Sequence, residues 1–217
     1  MTLAIFDLDN TLIAGDSDHL WGEYLVSQGI VDAAGFKATN DQFYEDYLAG
    51  QLDIHAYQRF VLKILTEHPL EQLLRWREAF MAQEIAPLML PRAAELLAQH
   101  RAQGHFLLII TATNDFITQP IAEQLGVDHL LATTAGQDDS GYTGDITGVP
   151  CYREGKITRL EAWLADTGHD LAGAYFYSDS HNDLPLLRKV DNPVAVDPDP
   201  TLAATAREQG WPIISLR

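Results

Sequence analysis

Asp7 and Asp9 stand two residues apart at the end of the apolar run Leu3-Ala4-Ile5-Phe6, and Thr11 follows two residues later. An apolar run that breaks abruptly into acids is how a buried strand looks when it ends at a site. On an extended chain the two side chains share a side, but the chain leaves the sheet here and that turn can re-aim one of them. A turn-forming Asp-x-Asp-Asn also closes strands without any chemistry, so the pair alone leaves both readings open. Two further apolar runs end the same way. Phe106 to Ile110 stops at Thr111, and Ala174 to Tyr177 stops at Ser178-Asp179-Ser180-His181-Asn182-Asp183, with Lys156 at the start of a helical stretch between them. Ligands of a parallel sheet sit beyond the carboxyl ends of its strands, so four carboxylates, a hydroxyl and one amine would meet in one crevice. Like charges this close raise one another's pKa or demand a counter-ion, and oxygen-only ligands select a hard cation such as magnesium. Asp7 and Asp179 suffice to anchor it. A hydroxyl and an ammonium beside a metal suit the oxygens of a phosphoryl group. The parts for phosphoryl transfer are then present: an acid to attack, a second to move protons, and cations to neutralise the transferring group.

The elements that must position these residues alternate regularly. A helix from Pro91 to about Gln103 precedes the Phe106 strand, and helices follow from Phe116 to Leu125 and after Gly155. Short strands are expected near His129 to Ala132, at Ala174 to Tyr177, at Val194 to Val196 and at Pro212 to Ile214, with a last helix near Ala203 to Glu208. Residues 133–150, rich in Gly, Asp and Thr, read as a small hairpin or loop with little core. Strand and helix in repeated succession predict an α/β fold, a parallel sheet with helices on both faces. Residues 16–86 contain no convincing strand, only helix-spaced residues such as Trp21, Tyr24 and Leu25, then Phe43, Tyr47 and Leu48. They read as an all-helical insertion whose aromatic residues form its own core, inserted into a domain of residues 1–15 and 87–217. Its exit hinge is expected at Ala86-Pro87, because proline disfavours helix in the residue before it.

Composition limits the partners. The chain of 217 residues has 14 basic and 31 acidic residues, a formal charge of -17, which repels nucleic acid and anionic membrane surfaces. Cys151, the lone cysteine, has no partner for an internal disulfide and no evident base beside it, so it reads as incidental. The first residues enter a strand directly, and no apolar stretch is long enough to cross a bilayer, which makes the cytoplasm the expected compartment.

The order Asp7-x-Asp9-x-Thr11, Thr111, Lys156, Ser178-Asp179-Ser180-x-Asn182-Asp183 resembles the four motifs of the haloacid dehalogenase superfamily of phosphatases. The resemblance spans the chain, and the helical insertion is similar to the cap of the phosphoserine-phosphatase-like subgroup. It implies a Rossmann-like core and magnesium-dependent hydrolysis of a small phosphate monoester. Asp7 would be the nucleophile that forms an aspartyl-phosphate, and Asp9 would protonate the leaving alcohol, then activate water. Asp9 would also offer its backbone carbonyl to the metal that Asp7 and Asp179 bind. Thr111 and Lys156, with Ala112 and Asn182 beside them, would hold phosphate oxygens. Asp183 would support the metal shell or Lys156, and Thr11 would be a structural hydroxyl. The chain departs from the pattern twice. Ser178-Asp179-Ser180 replaces a common Gly-Asp-Gly, and Ala112-Thr113-Asn114 replaces the Gly-Gly of many phosphoserine phosphatases, which weakens phosphoserine as substrate.

Substrate choice then falls to the insertion. Asp16 lies where the phosphoserine-like enzymes have an acid that meets the substrate's amine, and with Asp18 it makes an anionic wall that would attract an amine or imidazole. Histidinol phosphate fits that description. Both acids also suit helix N-capping. Arg59, Trp21 and Tyr24 are further lining candidates, with helix core or surface as the plainer reading, and His19 and His181 are expected in solvent. Two rivals belong to other classes. A signalling receiver also forms an aspartyl-phosphate, but its acceptor lies on a later strand and it has no large insertion. An EF-hand needs glycine where Leu12 stands.

Overall fold

The computed structural model describes residues 1–217. Its strands are β1 (Leu3–Phe6), β2 (Phe106–Asn114), β3 (His129–Asp138), β4 (Gly141–Thr147), β5 (Tyr175–Ser178), β6 (Asn192–Val196) and β7 (Ile213–Ile214). They form one sheet in the order β4-β3-β2-β1-β5-β6-β7, parallel except for β4, which pairs antiparallel with β3. The chain order reverses at β1, so Asp7 leaves the sheet at the switch point where such folds bind ligands. Both faces of β1 are buried, which is why its sequence is continuously apolar. Ala4 and Phe6 join one core with Leu107 and Ile109, while Leu3 and Ile5 join a second with Leu108 and Ile110 on the opposite face.

The insertion is helical throughout: α1 (Ser17–Ser27), α2 (Ala33–Leu48), α3 (Ile54–Leu62), α4 (Ile64–Glu67) and α5 (Leu70–Phe80), then a π turn and a 3-10 turn to Leu88. The core helices are α6 (Pro91–Ala102), α7 (Asp115–Leu125), α8 (Glu154–Thr167), α9 (Leu184–Leu187) and α10 (Pro200–Gln209). No helix is long and apolar enough to cross a membrane.

Three local expectations are corrected. Pro87 does not end the helical path, since Ala86 keeps helical angles (φ -56°, ψ -38°) and the chain becomes extended only at Met89. The restriction acts instead at Leu90 (φ -93°, ψ 121°), the residue before Pro91. There the two linkers run side by side, joined by an Ile13–Met89 bridge and by Ala14 N–H donating to the Leu88 carbonyl. The segment 133–150 does form a hairpin, but with more core than expected. β3 continues to Asp138, Ala135 joins the core, Tyr142 and Ile146 pack against it, and α3 and α4 rest on β4. Finally, the insertion has no separate core. Trp21 packs on Tyr24 and Phe80, but also on Phe116 of α7, within the cluster that contains Ala4 and Phe6.

A second tie joins insertion and core. Pro120 inside α7 has no N–H for the Phe116 carbonyl. Arg77 of α5 donates to that carbonyl at 2.8 Å, and its guanidinium lies 4.8 Å from the Phe116 ring centroid.

Candidate active site

β1 ends at Phe6, and the Asp7 N–H still donates to the Tyr177 carbonyl of β5, so the carboxylate is set by the sheet itself. The chain then coils around the Leu8 carbonyl, which accepts from the N–H groups of Thr11, Leu12 and Ile13. Asn10 takes a left-handed conformation (φ 56°), which asparagine tolerates better than most residues. This turn re-aims Asp9. One of its oxygens accepts from the Ser17 N–H at 2.7 Å, the other from the Thr113 hydroxyl at 2.8 Å.

Lys156 lies in the first turn of α8 and reaches the Asp7 carboxylate at 2.8 Å and the Asp183 carboxylate at 2.7 Å, all three buried. Asp183 also accepts from the Ser178 hydroxyl at 2.7 Å. Gly155 lets the helix start this close to the preceding loop. A Cβ there would lie 2.1 Å from the Pro150 carbonyl oxygen. Gly155→Ala is therefore expected to cost about 1–3 kcal/mol of stability, read as a lower denaturant midpoint with unchanged slope. An unchanged midpoint would show that the loop yields freely.

Thr11 Oγ1 lies 3.4 Å from Asp7 Oδ2 and 3.2 Å from Asp179 Oδ1, and it accepts from the Asp179 N–H at 3.1 Å. Two carboxylates thus flank one hydroxyl. Asp7 is pushed up to about 7 by burial, with the ammonium of Lys156 opposing and the charge of Asp183 adding. Asp9 is pushed up to about 6 by burial and by Asp16. Asp179 is raised well above the usual carboxylate range by burial and by Asp7 and Asp183. Burial opposes the charge on Lys156, but Asp183 and Asp7 outweigh it and raise its pKa. Four acids against one ammonium leave a negative excess, and a donor set of carboxylate oxygens fits a hard divalent cation. Elsewhere, on α1 and α2, His19, Glu23 and Asp41 also cluster, but there the Lys37 ammonium already lies 2.7 Å from Glu23 and 3.3 Å from Asp41.

A cleft opens over the acids and Lys156, lined by Asp7, Asp9, Thr111, Ala112, Lys156, Asn182 and Asp183 from the core. The insertion adds Asp16, Asp18, Phe43, Tyr44, Tyr47, Leu52, Ile54 and Tyr57. Asp16 caps α1, accepting from the N–H groups of Asp18 and His19, while it also lines the cleft. Thr111 Oγ1 lies 3.4 Å from Asp9. Asn182 meets the insertion as well as the cleft: its Oδ1 accepts from Tyr152 and Arg153, and its Nδ2 donates to the Tyr47 carbonyl at 3.2 Å.

Some plainer readings hold here and other expectations fail. Arg59 is exposed and does not line the cleft. Its neighbour Gln58 is the buried one, donating to the Ala112 carbonyl at 3.3 Å. Phe43 and Tyr47 line the cleft, Phe43 while also packing on Tyr57 and Phe60 of the insertion, whereas Trp21 and Tyr24 are core residues. His19 and His181 are half-buried and not in open solvent. The His19 ring stacks on Tyr44 with centroids 4.6 Å apart, and His181 Nδ1 lies 2.8 Å from Asp199. Cys151 is fully buried, its thiol pushed up to about 12 by burial, so it is no nucleophile.

Sequence reasoning missed Thr113 and Arg153. Thr113 stands two residues beyond Thr111 on the same strand, and that period-two spacing was the available signal. Arg153 had none. It holds a strained backbone (φ 51°, ψ -121°) while its guanidinium donates to Asn182 and to the Gly50 carbonyl just beyond α2.

The model of the haloacid dehalogenase-like hydrolases matches residues 4–188. Over 219 aligned residues the chain is 46% identical to the histidinol-phosphatase of Neisseria meningitidis serogroup C, covering 99% of each chain. It is 31% identical over 217 residues to the phosphoserine phosphatase SerB1 of Mycobacterium tuberculosis, covering 99% of this chain and 70% of that one. Among solved structures, a protein of unknown function from Bordetella pertussis Tohama I superposes with a TM-score of 0.93 at 41% identity, each chain covered in full. A substrate-bound phosphoserine phosphatase superposes with a TM-score of 0.72 at 19% identity, covering 100% of this chain and 93% of that one, which is a likeness of fold. With a family match across most of its length and a relative this similar end to end, the chain belongs to the haloacid dehalogenase-like hydrolases, as a phosphatase of that family.

Proposed function

We propose that this phosphatase hydrolyses a small phosphate monoester bearing an amine or imidazole, with histidinol phosphate the best match, through an aspartyl-phosphate on Asp7. The observation that carries the substrate class is the wall of the cleft. Asp16 and Asp18 stand there among aromatic rings, and Lys156 is its one basic lining residue. That ammonium is committed to Asp7 and Asp183, so a substrate carboxylate such as that of phosphoserine would meet acids with no cation to pair with. The 46% identity to a histidinol-phosphatase supports the same choice.

In this reading an Asp7 oxygen attacks phosphorus while the ester P–O bond breaks, and Asp9 gives its proton to the departing alkoxide. Asp9 then takes a proton from the water that attacks the phosphorus of the aspartyl-phosphate, which returns Asp7 and releases inorganic phosphate. Thr111 and Lys156 would hold phosphate oxygens. Asp7, Asp179 and the Asp9 carbonyl would hold magnesium, which when bound supplies positive charge to the transferring group. An Asp9 pKa raised to about 6 matches the double task, since the group holds its proton in mild acid and accepts one at neutral pH.

Purified protein is expected to release phosphate from histidinol phosphate only with magnesium. Asp9→Asn should lower kcat/KM for this alkyl ester by roughly 10²–10⁴-fold, and far less for 4-nitrophenyl phosphate, whose leaving group needs no proton. A raised pKa means that the proton is lost as pH rises through about 6, so the wild-type preference for the nitrophenyl ester should grow above that pH. Equal losses on both esters would remove Asp9 from the proton transfer. No magnesium-dependent release from any small ester would end the reading.

A further inference from the structure

Three buried acceptors at the seam between insertion and core have no hydrogen-bond partner: Asp18 Oδ2, Gln58 Oε1 and Asn114 Oδ1. Asp18 and Asn114 touch, Gln58 packs on the same strand end, and of the three only Asp18 lines the cleft. Asn114 Nδ2 donates to Asp18 Oδ1 at 3.3 Å, and Gln58 Nε2 donates to the carbonyl of Ala112, two residues before Asn114. Those two contacts also set both amide orientations, because a flipped Asn114 or Gln58 would turn oxygen towards oxygen. What is left over on the two amides is therefore acceptor only, and on Asp18 it is an acceptor when the carboxyl is ionised. Each such group costs about 1–3 kcal/mol if nothing ever fills it.

Asp18 is 3% exposed, yet it lines the cleft. Burial and the charges of Asp16 and Asp9 raise its pKa well above the usual carboxylate range, against a hydrogen bond from the Tyr57 hydroxyl. A partner suited to this acid brings N–H donors and no acceptor, and is flat enough to sit among the aromatic side chains of the cleft. A protonated imidazole has two N–H donors, no acceptor and a planar ring. Asp16 is a separate acid: one of its oxygens caps α1, and it remains available on the cleft side for an amine.

We propose that Asp18, backed by Asn114 and Gln58, is the seat of the substrate's imidazole and the main discriminator between histidinol phosphate and esters that lack such a ring. The inference rests on the hydrolysis of histidinol phosphate argued above, and it assigns the second nitrogen-bearing group of that substrate to named side chains. An amine seat alone would not separate histidinol phosphate from other amino-alcohol esters. A donor-hungry acid beside it does, because an analogue without the ring leaves the Asp18 acceptor buried and unpaired.

The test compares histidinol phosphate with phenyl phosphate as substrates, and histidinol with inorganic phosphate as competitive inhibitors of phenyl phosphate turnover. Asp18→Asn is expected to lower the ratio of kcat/KM for histidinol phosphate to that for phenyl phosphate by about tenfold to a hundredfold, chiefly through KM. It should raise the histidinol Ki by a similar factor relative to the phosphate Ki. Gln58→Met should move both ratios in the same direction by a smaller factor, and it decides the matter if Asp18→Asn does not fold. Ratios that stay within about twofold of wild type, on an enzyme that does hydrolyse histidinol phosphate, overturn the imidazole seat and leave the substrate intact. A wild-type enzyme that turns over phenyl phosphate but not histidinol phosphate, and is not inhibited by histidinol, overturns both. Thermal stabilisation of the wild type by potassium, equal to that by histidinol, would assign the acceptors to an alkali cation and also overturn the proposal.

Discussion

Asp7→Asn is expected to lower turnover of histidinol phosphate by roughly 10⁴–10⁶-fold while leaving the protein folded. An amide oxygen is a poor nucleophile, and the neighbouring acids cannot take its place. Asp183 is held by Lys156 and Ser178, and Asp9 by the Ser17 N–H and Thr113. The fold should tolerate the change because the carboxylate it removes is already disfavoured. Burial and neighbouring acids push Asp7 up to about 7, and Asp183 remains to pair with Lys156 after the substitution. The paired measurement is a steady-state rate and a melting curve. Residual turnover above about one part in a thousand, in a preparation free of contaminating phosphatase, would show that Asp7 is not the nucleophile.

Lys156→Met carries the second large effect, and it falls on stability as well as on rate. The ammonium is 3% exposed and joins two buried carboxylates, so its loss leaves Asp7 and Asp183 facing each other without a counter-charge. Breaking a buried pair in this way costs about 3–5 kcal/mol. The pH dependence gives the cause away. Asp7 already has a folded-state pKa raised to about 7, above the ordinary value of 3.8, and removal of Lys156 takes away the interaction that lowers it. A carboxyl with a raised folded-state pKa binds its proton more tightly when folded, so its stabilising contribution is complete below the unfolded value and is lost as pH rises through the folded one. The deficit of Lys156→Met should therefore be smallest near pH 5 and largest near pH 8. Adding Asp183→Asn should recover part of it, because one of the two stranded charges is then gone. A deficit equal at both pH values, with no recovery in the double variant, would mean that Lys156 contributes packing alone.

What could be read from sequence and what could not divides along a physical line. A buried parallel strand must be apolar over its whole length and can turn polar only where it leaves the sheet. The runs ending at Asp7, Thr111 and Ser178 thus disclosed their positions at the carboxyl edge, and with them the fold class and the residues gathered there. The helical insertion was legible as helix for a similar reason, since the 3.6-residue period survives in the sequence. Its partners were not. Periodicity says that one face of a helix is covered, never by what, so Trp21 on the sheet core and Phe43 on the cleft looked alike. Arg59 and Gln58 show the same limit at single-residue scale. Neighbours on a helix point about 100° apart, and only packing against β2 decides that Gln58 turns inward while Arg59 faces solvent.

Contacts between distant segments were the least visible. Nothing near Arg153 in the chain indicates Gly50, and nothing near Asp18 indicates Asn114, because these pairs exist only once the insertion closes onto the strand ends. The sequence by itself determined the sheet, the strand-end acids and the charge that calls for a cation. The tertiary structure alone decided which buried acceptors remain without a donor, since an unmet hydrogen bond is defined by every group that surrounds it.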